Sequence, residues 1–391
     1  MPEIMTVLGP IQSNELGFTS MHEHILYDGS VYRRRYSDIL DIDTSDHEDK
    51  PDTTVSFGAV TSGGLPKDFP VKADDQLSLE NIGLHRRNFF LTWDAVSMND
   101  EEVMTAEMKE FKTSGGDALV DMSAPGLRSN IPAIKIISEK SGVHVVTTTG
   151  LYTEDSWPEK FRDMTIEQYM DYMLKEVKEG IDDTGIKAGH LKVAITDLSK
   201  QQENLLRAAA RISSETGMSL TIHPGFIVGS DSSRIVKILF EEDMKLERLI
   251  IAHLQQFVVE CDLKKLVEDP SSWGLRLDYA RNLLDQGVNL SIDTFGHYWD
   301  AELLGFVRPT EWQKLAALLA LIKEGYSTQL LLGTDTFLKI QTRRFGGEGY
   351  ARLTRSVIPF LKTKLSVFSC VSDFDIRQMT VENPARLLSY E

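Results

Sequence analysis

Residues 17–24 read Gly-Phe-Thr-Ser-Met-His-Glu-His, a short strand-forming run that ends on two histidines instead of a glycine-rich turn. That ending decides between two large α/β architectures. A doubly wound open sheet ordinarily carries a Gly-rich phosphate loop after its first strand, whereas a (β/α)8 barrel gathers chemistry-bearing side chains at strand ends. Beyond Gly17–Met21, strand-like runs recur at Ala118–Met122, Val143–Thr149, His190–Ile195, Ser219–His223, Leu249–His253, Val288–Asp293 and Gln329–Gly333. Stretches of helical period separate them: Asn99–Ser114, Asn130–Ser141, Ile166–Gly180, Lys200–Thr216, Arg234–Glu242, Ser272–Gln286 and Thr310–Glu324. Such alternation predicts an α/β fold, a (β/α)8 TIM barrel, with residues 1–391 as one domain.

Between His24 and the helix near Asn99 lie about 75 residues, too many for an ordinary βα loop. An insertion over residues 30–95 is therefore expected after strand 1. Asp41–Lys50 is acidic, Ser56–Pro70 is rich in Gly, Ser and Pro, and Leu77–Trp93 has helical character. In this position the segment would lie over the barrel mouth as a lid or an oligomer contact, or would be an ornamental loop. Gly349–Leu361 and the stretch around Val381–Pro384 read as terminal helices.

The 391 residues carry 42 Lys+Arg against 59 Asp+Glu, a formal charge of −17. That field repels phosphate backbones and anionic bilayers, so no nucleic-acid or membrane partner is expected, only a small-molecule substrate. Cys261 and Cys370 cannot build a disulfide framework, and the amino terminus lacks a basic, then apolar, leader. A cytoplasmic protein is expected. No apolar run approaches the roughly 18 residues of a spanning helix.

Residues i and i+2 of a strand share a face, so His22 and His24 can aim at one metal ion. His223 closes strand 5, His253 closes strand 6, and Asp335 follows strand 8 within two residues. Any one of these could be a hydrogen-bonded structural residue; five on one rim predict a metal site. His144 and His190 begin their strands, at the opposite rim, and His47 and His85 belong to the insertion. Lys192 lies within an apolar strand, where a free ammonium is costly. It could pair with Asp335, reach the barrel surface, or take up CO2 as a carbamate bridging two divalent ions. The last would complete His22, His24 and Asp335 on one ion and His223 with His253 on the other. Zinc is the default for such a histidine-rich set, and manganese, cobalt or iron suit the same ligands. Lys339, Arg343 and Arg344 follow strand 8 as anion-binding candidates or solvated charges. Phe295, Tyr298 and Trp299 line an apolar subsite or pack beneath the insertion.

The segments 17–24, 180–189 (Gly-Ile-Asp-Asp-Thr-Gly-Ile-Lys-Ala-Gly), Leu191-Lys192-Val193-Ala194, Thr221-Ile222-His223, Ile251-Ala252-His253, Thr334-Asp335 and Asn383-Pro384-Ala385-Arg386 follow one another in order. Together they resemble the phosphotriesterase family of the amidohydrolase superfamily over nearly the whole chain. The resemblance implies a binuclear metal-dependent hydrolase on a (β/α)8 barrel. His22, His24, His223, His253 and Asp335 correspond to metal ligands, Lys192 to the carboxylated lysine, and a homodimer is implied. A hydroxide bridging the two ions would attack the substrate, with Asp335 moving the proton.

Around the pocket the sequence mixes branches of the family. Gln256 and Thr294 replace the Asp and His of organophosphate-degrading members, whereas His297 matches a second pocket histidine of theirs. Tyr152 resembles the tyrosine of lactonase members, which carry an Arg where Thr294 stands. Asp293-Thr294-Phe295-Gly296, His223-Pro224-Gly225, Lys339 and Arg344–Tyr350 resemble the phosphotriesterase-related branch, some of whose members hydrolyse N-acyl amino sulfonates. That branch commonly has Glu at Lys192 and His at Thr334. The implied reaction is hydrolysis of a carboxylic ester or lactone, or of an N-acyl amide. The alternatives are phosphotriester hydrolysis and a metal-containing binding protein without turnover.

Overall fold

The computed structural model describes residues 2–36, 69–225, 232–363 and 369–390, together with the backbone of 54–55 and 58–59. Asp41–Lys50, with His47, and most of Ser56–Pro70 lie outside the described residues.

The apolar runs form eight strands: β1 (Thr19–Glu23), β2 (Ala118–Asp121), β3 (His144–Leu151), β4 (His190–Ile195), β5 (Leu220–Pro224), β6 (Leu249–Ile251), β7 (Asn289–Ile292) and β8 (Leu330–Leu332). They lie side by side in chain order. Every paired neighbour is parallel. Nearly all strand residues are buried, as a parallel sheet sheathed in helices requires. The expected (β/α)8 barrel is the fold.

Closure between β8 and β1 uses both main chain and side chain. The Asp335 N–H donates to the His22 carbonyl at 2.9 Å. Glu23, between the two histidines, accepts from the N–H groups of Thr334 (2.8 Å) and Thr336 (3.0 Å) and from the hydroxyls of Thr334 (2.6 Å) and Ser20. Burial pushes the Glu23 carboxyl up to about 8 against the pull of these bonds. Its place in the His-Glu-His triplet is thus explained by the seam: the residue that separates the two histidines fastens the last strand to the first.

Local sequence sets the helix ends. Lys200–Thr216 starts at Ser199, whose hydroxyl accepts the Gln202 N–H, and stops at Gly217 with φ +74°. Ile131–Ser141 repeats the device with Asn130 and Gly142. Leu77–Trp93 yields only the helix Ile82–Arg87, because Asn88 leaves it to bridge Ala301. Ser272–Gln286 is divided into a 3-10 turn, Pro270–Trp273, and a helix, Asp278–Asp285, by the extended Gly274.

Below the histidines, Met21, Val120, Val146, Ile250 and Leu331 pack with Ile4 of the amino-terminal hairpin and with Leu387 and Leu388. This plug fills one end of the barrel with hydrocarbon and leaves polar chemistry to the other end. His190, at the start of β4, is buried and hydrogen-bonded to Thr221 (2.7 Å) and Ser219 (3.0 Å), a structural role. Gly150 stands opposite Lys192 in the β3–β4 register. At its φ of +123° a Cβ would lie 2.0 Å from the Lys192 carbonyl oxygen, so only glycine lets β3 pass here. No helix among the described residues is long and apolar enough to cross a membrane.

Candidate metal centre

The interior of β4 and the ends of β1, β5, β6 and β8 bring the six side chains expected from the sequence together. Asp335 Oδ1 lies 3.4 Å from His24 Nε2 and 3.7 Å from His22 Nε2. Lys192 Nζ is 3.4 Å from the same His22 nitrogen. His253 Nε2 and His223 Nδ1 approach to 2.8 Å. The His22 and His253 rings, with centroids 4.8 Å apart, join the two groups into one cluster. Two of these residues occupy the left-handed backbone region, His253 at φ +58° and Asp335 at φ +47°. Such conformations cost about 1–2 kcal/mol for a side chain with a Cβ, and here they turn both groups into the mouth.

Asp293, given no role of its own from the sequence, organises the cluster. Its carboxylate bonds His22 Nδ1 at 2.9 Å and His253 Nδ1 at 2.8 Å, and accepts the His253 backbone N–H at 3.2 Å. With both Nδ1–H groups committed, each Nε2 keeps its lone pair for a metal. His24 Nδ1 is held in the same way by the Ser123 hydroxyl at 2.8 Å. The sequence signal was present, because Asp293 ends its strand run as the ligands do. Its spacing, however, does not distinguish an orienting carboxylate from a ligand. Asp293→Asn is expected to weaken divalent-metal affinity about 10–100-fold, read by chelator competition, since one orienting carboxylate serves two histidines. Unchanged affinity would remove this role.

Electrostatics favour the same use. Burial drives His22 and His223 well below the ordinary imidazole range and His24 down to about 3, so the rings are neutral donors at neutral pH. Burial would raise Asp293, but His253 and His22 outweigh it and hold the carboxyl well below its usual value. Burial also lowers Lys192 to about 8 and raises Asp335 to about 7. Neutral imidazoles and a carboxylate in a water-poor mouth are a donor set suited to divalent cations.

A cavity lined by His22, His24, Lys192, His223, His253 and Asp335 opens above the cluster. Tyr152 lies on its wall, with its ring 5.0 Å from His223 and its hydroxyl 2.7 Å from that of Tyr32. Gln256, Trp299, Phe337 and Arg308 share the lining with Tyr32, Tyr36 and Phe89 of the 30–95 segment. The other proposed substrate contacts are placed elsewhere. His297 is buried behind Asp335, with Nε2 donating to the carbonyls of Thr334 and Asp335 at 2.9 Å each. Lys339 pairs with Asp94, Arg343 with Glu110 at 2.6 Å, and Arg344 with Asp100 at 3.7 Å. None of these three cations lines the cavity, because acids from the segment before β2 and its following helix take them up. Of the aromatic trio, Trp299 lines the cavity, Phe295 is buried in the core, and Tyr298 is partly exposed and bonded to Glu348 at 3.0 Å.

Imidazoles and a carboxylate clustered at the carboxyl ends of barrel strands define a (β/α)8 metal-site protein. The model of the phosphotriesterase family matches residues 2–388, and the chain belongs to that family, as a metal-dependent hydrolase. An N-acetyltaurine hydrolase from Dictyostelium discoideum is 28% identical over 99% of this chain and 98% of its own length. Among solved structures, a resiniferatoxin-binding protein from Rhodobacter sphaeroides superposes with a TM-score of 0.78 at 25% identity, covering 99% of this chain and 95% of that one. A lactonase from Listeria monocytogenes shares the fold, with a TM-score of 0.72 at 20% identity over 100% and 99% of the two chains.

Proposed function

We propose that this protein hydrolyses an N-acyl amide of a small amine at a binuclear metal centre. The observation that carries the reading is the convergence of Asp335, Lys192 and four histidines beneath a cavity walled by Tyr152. The full-length similarity to a protein named N-acetyltaurine hydrolase supports the choice of an amide. His22, His24 and Asp335 would hold one ion and His223 with His253 the other, with Lys192, as its carbamate, completing the set. Two divalent ions, with zinc as the default, would supply there a nucleophile active near neutral pH and a Lewis acid for the scissile carbonyl.

The chain's own residues do the rest. Asp335 accepts the nucleophile's proton on its carboxylate and delivers it to the amide nitrogen as the C–N bond breaks, so the products are a carboxylic acid and a free amine. The Tyr152 hydroxyl, positioned by Tyr32 at 2.7 Å, donates to the carbonyl oxygen as that oxygen gains charge. The apolar walls exclude bulk water, and Asp293 keeps His22 and His253 in the tautomer that binds metal.

Tyr152 also favours a second reading, lactone or ester hydrolysis, because the same phenol serves any acyl oxygen. The test is initial rates on a panel of N-acetyl amides, lactones, carboxylic esters and paraoxon, using metal-loaded protein. The reading predicts the highest kcat/KM on an N-acetyl amide. A lactone preferred at least tenfold would install the second reading, and dominant paraoxon turnover would make the protein a phosphotriesterase. Ligand binding with no turnover on any class would leave a metal-containing binding protein.

A further inference from the structure

Arg308 was not marked by any sequence motif, yet it is placed against the cavity that holds the metal ligands. Its guanidinium lies 3.4 Å from the centre of the Trp299 ring and 5.8 Å from that of Phe306. Stacking of this kind fixes the plane of an arginine and leaves its in-plane N–H groups for an oxyanion. Its Nε is enclosed and has no hydrogen-bond partner. Asp300 accepts the Arg308 backbone N–H at 3.5 Å and directs its other oxygen to Arg87 at 3.8 Å, while Glu311 is engaged by Lys314 at 2.8 Å and Arg352 at 3.0 Å. Burial lowers Arg308 to about 10, which leaves it a cation at neutral pH.

Among the described residues no carboxylate lies at ion-pair distance from this guanidinium, and the more distant charges of Asp335 and Asp300 only partly offset its burial, so a ligand that brings a countercharge is favoured. Geometry links it to the reacting end as well: Trp299 stacks on His297 at 5.3 Å, and His297 donates to the Asp335 carbonyl. Arg308 is thereby held at a fixed offset from Asp335. The cations that follow β8 do not compete for this role, being paired to Asp94, Glu110 and Asp100.

We infer that Arg308 is the anion anchor of the cavity, binding a carboxylate or sulfonate on the amine portion of the substrate while the acyl group sits at the metal centre. This deepens the amide-hydrolase reading and rests on it for the identity of the reaction, but not for the binding of the anion. The substrate class is then an N-acyl amino acid or N-acyl amino sulfonate. A neutral amide of the same length is a poor substrate.

Two experiments separate the parts. Calorimetric titration with 1-butanesulfonate and with butyrate, neither of which has a scissile bond, reads the anchor alone. Wild type binds at least one, and the preferred anion distinguishes sulfonate from carboxylate. Arg308→Gln weakens that binding by about a hundredfold, and Arg308→Lys, which keeps charge but loses the planar fork, weakens it less. Steady-state rates on N-acetyltaurine, N-acetyl-β-alanine and neutral N-propylacetamide read the anchor in catalysis. The anionic-to-neutral ratio of kcat/KM falls by about a hundredfold in Arg308→Gln, chiefly through KM. An arginine that only braced Trp299 would lower the Tm and leave both the titration and the ratio unchanged; that result overturns the inference. Loss of anion binding in a protein whose wild type cleaves none of the amides would retain the anchor and overturn the amide reading. If Arg308→Gln does not fold, the lysine variant decides: wild-type affinity and ratio in it contradict recognition by the fork.

Discussion

Replacing Asp335 by asparagine is expected to lower kcat at least about a hundredfold on the best substrate while leaving the fold intact. The structural part of this expectation follows from what Asp335 does with its main chain. Its N–H fastens β8 to the His22 carbonyl at 2.9 Å, and its own carbonyl accepts from His297 at 2.9 Å and from Gln341 at 3.1 Å. An asparagine keeps all of these. It also tolerates the left-handed φ of +47° better than most residues. What it loses is the acid–base function of the carboxylate that faces His22 and His24. Circular dichroism and a thermal melt matching wild type, beside collapsed turnover, is the predicted pair of results. Near-unchanged kcat would remove Asp335 from the mechanism.

Lys192 gives the second large effect, and here two substitutions are informative together. In β4 the side chain is buried and its amine lies 3.4 Å from His22 Nε2, so a plain ammonium would oppose a cation in the same place. A carbamate reverses that charge and offers two oxygens. Lys192→Ala is therefore expected to lower kcat at least about a hundredfold and to weaken retention of metal. Lys192→Glu, which supplies a carboxylate without CO2, is expected to keep more activity and more metal than the alanine variant. Labelling wild type with 13C-bicarbonate should give a carbamate carbon resonance that both variants lack. Equal metal content and turnover in wild type and Lys192→Ala would contradict a bridging role.

Much of the barrel could be read from the chain because its strands are buried on both faces and so stand out as apolar β-branched runs. His190–Ile195 and Lys200–Thr216 have the same boundaries in sequence and structure. Strand ends were also legible, since His22, His223 and His253 lie one residue past the last apolar position and His24 and Asp335 within three. The substrate side was less so. Cations after β8 look available in one dimension, but Asp94 and Glu110 sit far from them in sequence and meet them only on folding. Arg308 and Asp293 were missed for the converse reason. Neither lies at a telling spacing, and each acquires meaning from partners brought by other elements: Trp299 for the first, His22 and His253 for the second. His297 resembles a pocket residue in sequence yet lies behind Asp335, where its two carbonyl partners at the end of β8 hold it.

On the proposed reading, Lys192 and the five side chains at the strand ends hold a pair of divalent ions on which activity depends. The decisive measurement is metal content by inductively coupled plasma mass spectrometry, on purified protein before and after chelation and alongside His22→Ala. Active protein is expected to carry about two equivalents of divalent metal per chain, to lose metal and turnover together on chelation and recover both on reloading, while the variant fails to reload fully. Full turnover in protein shown to be free of metal would contradict that reading.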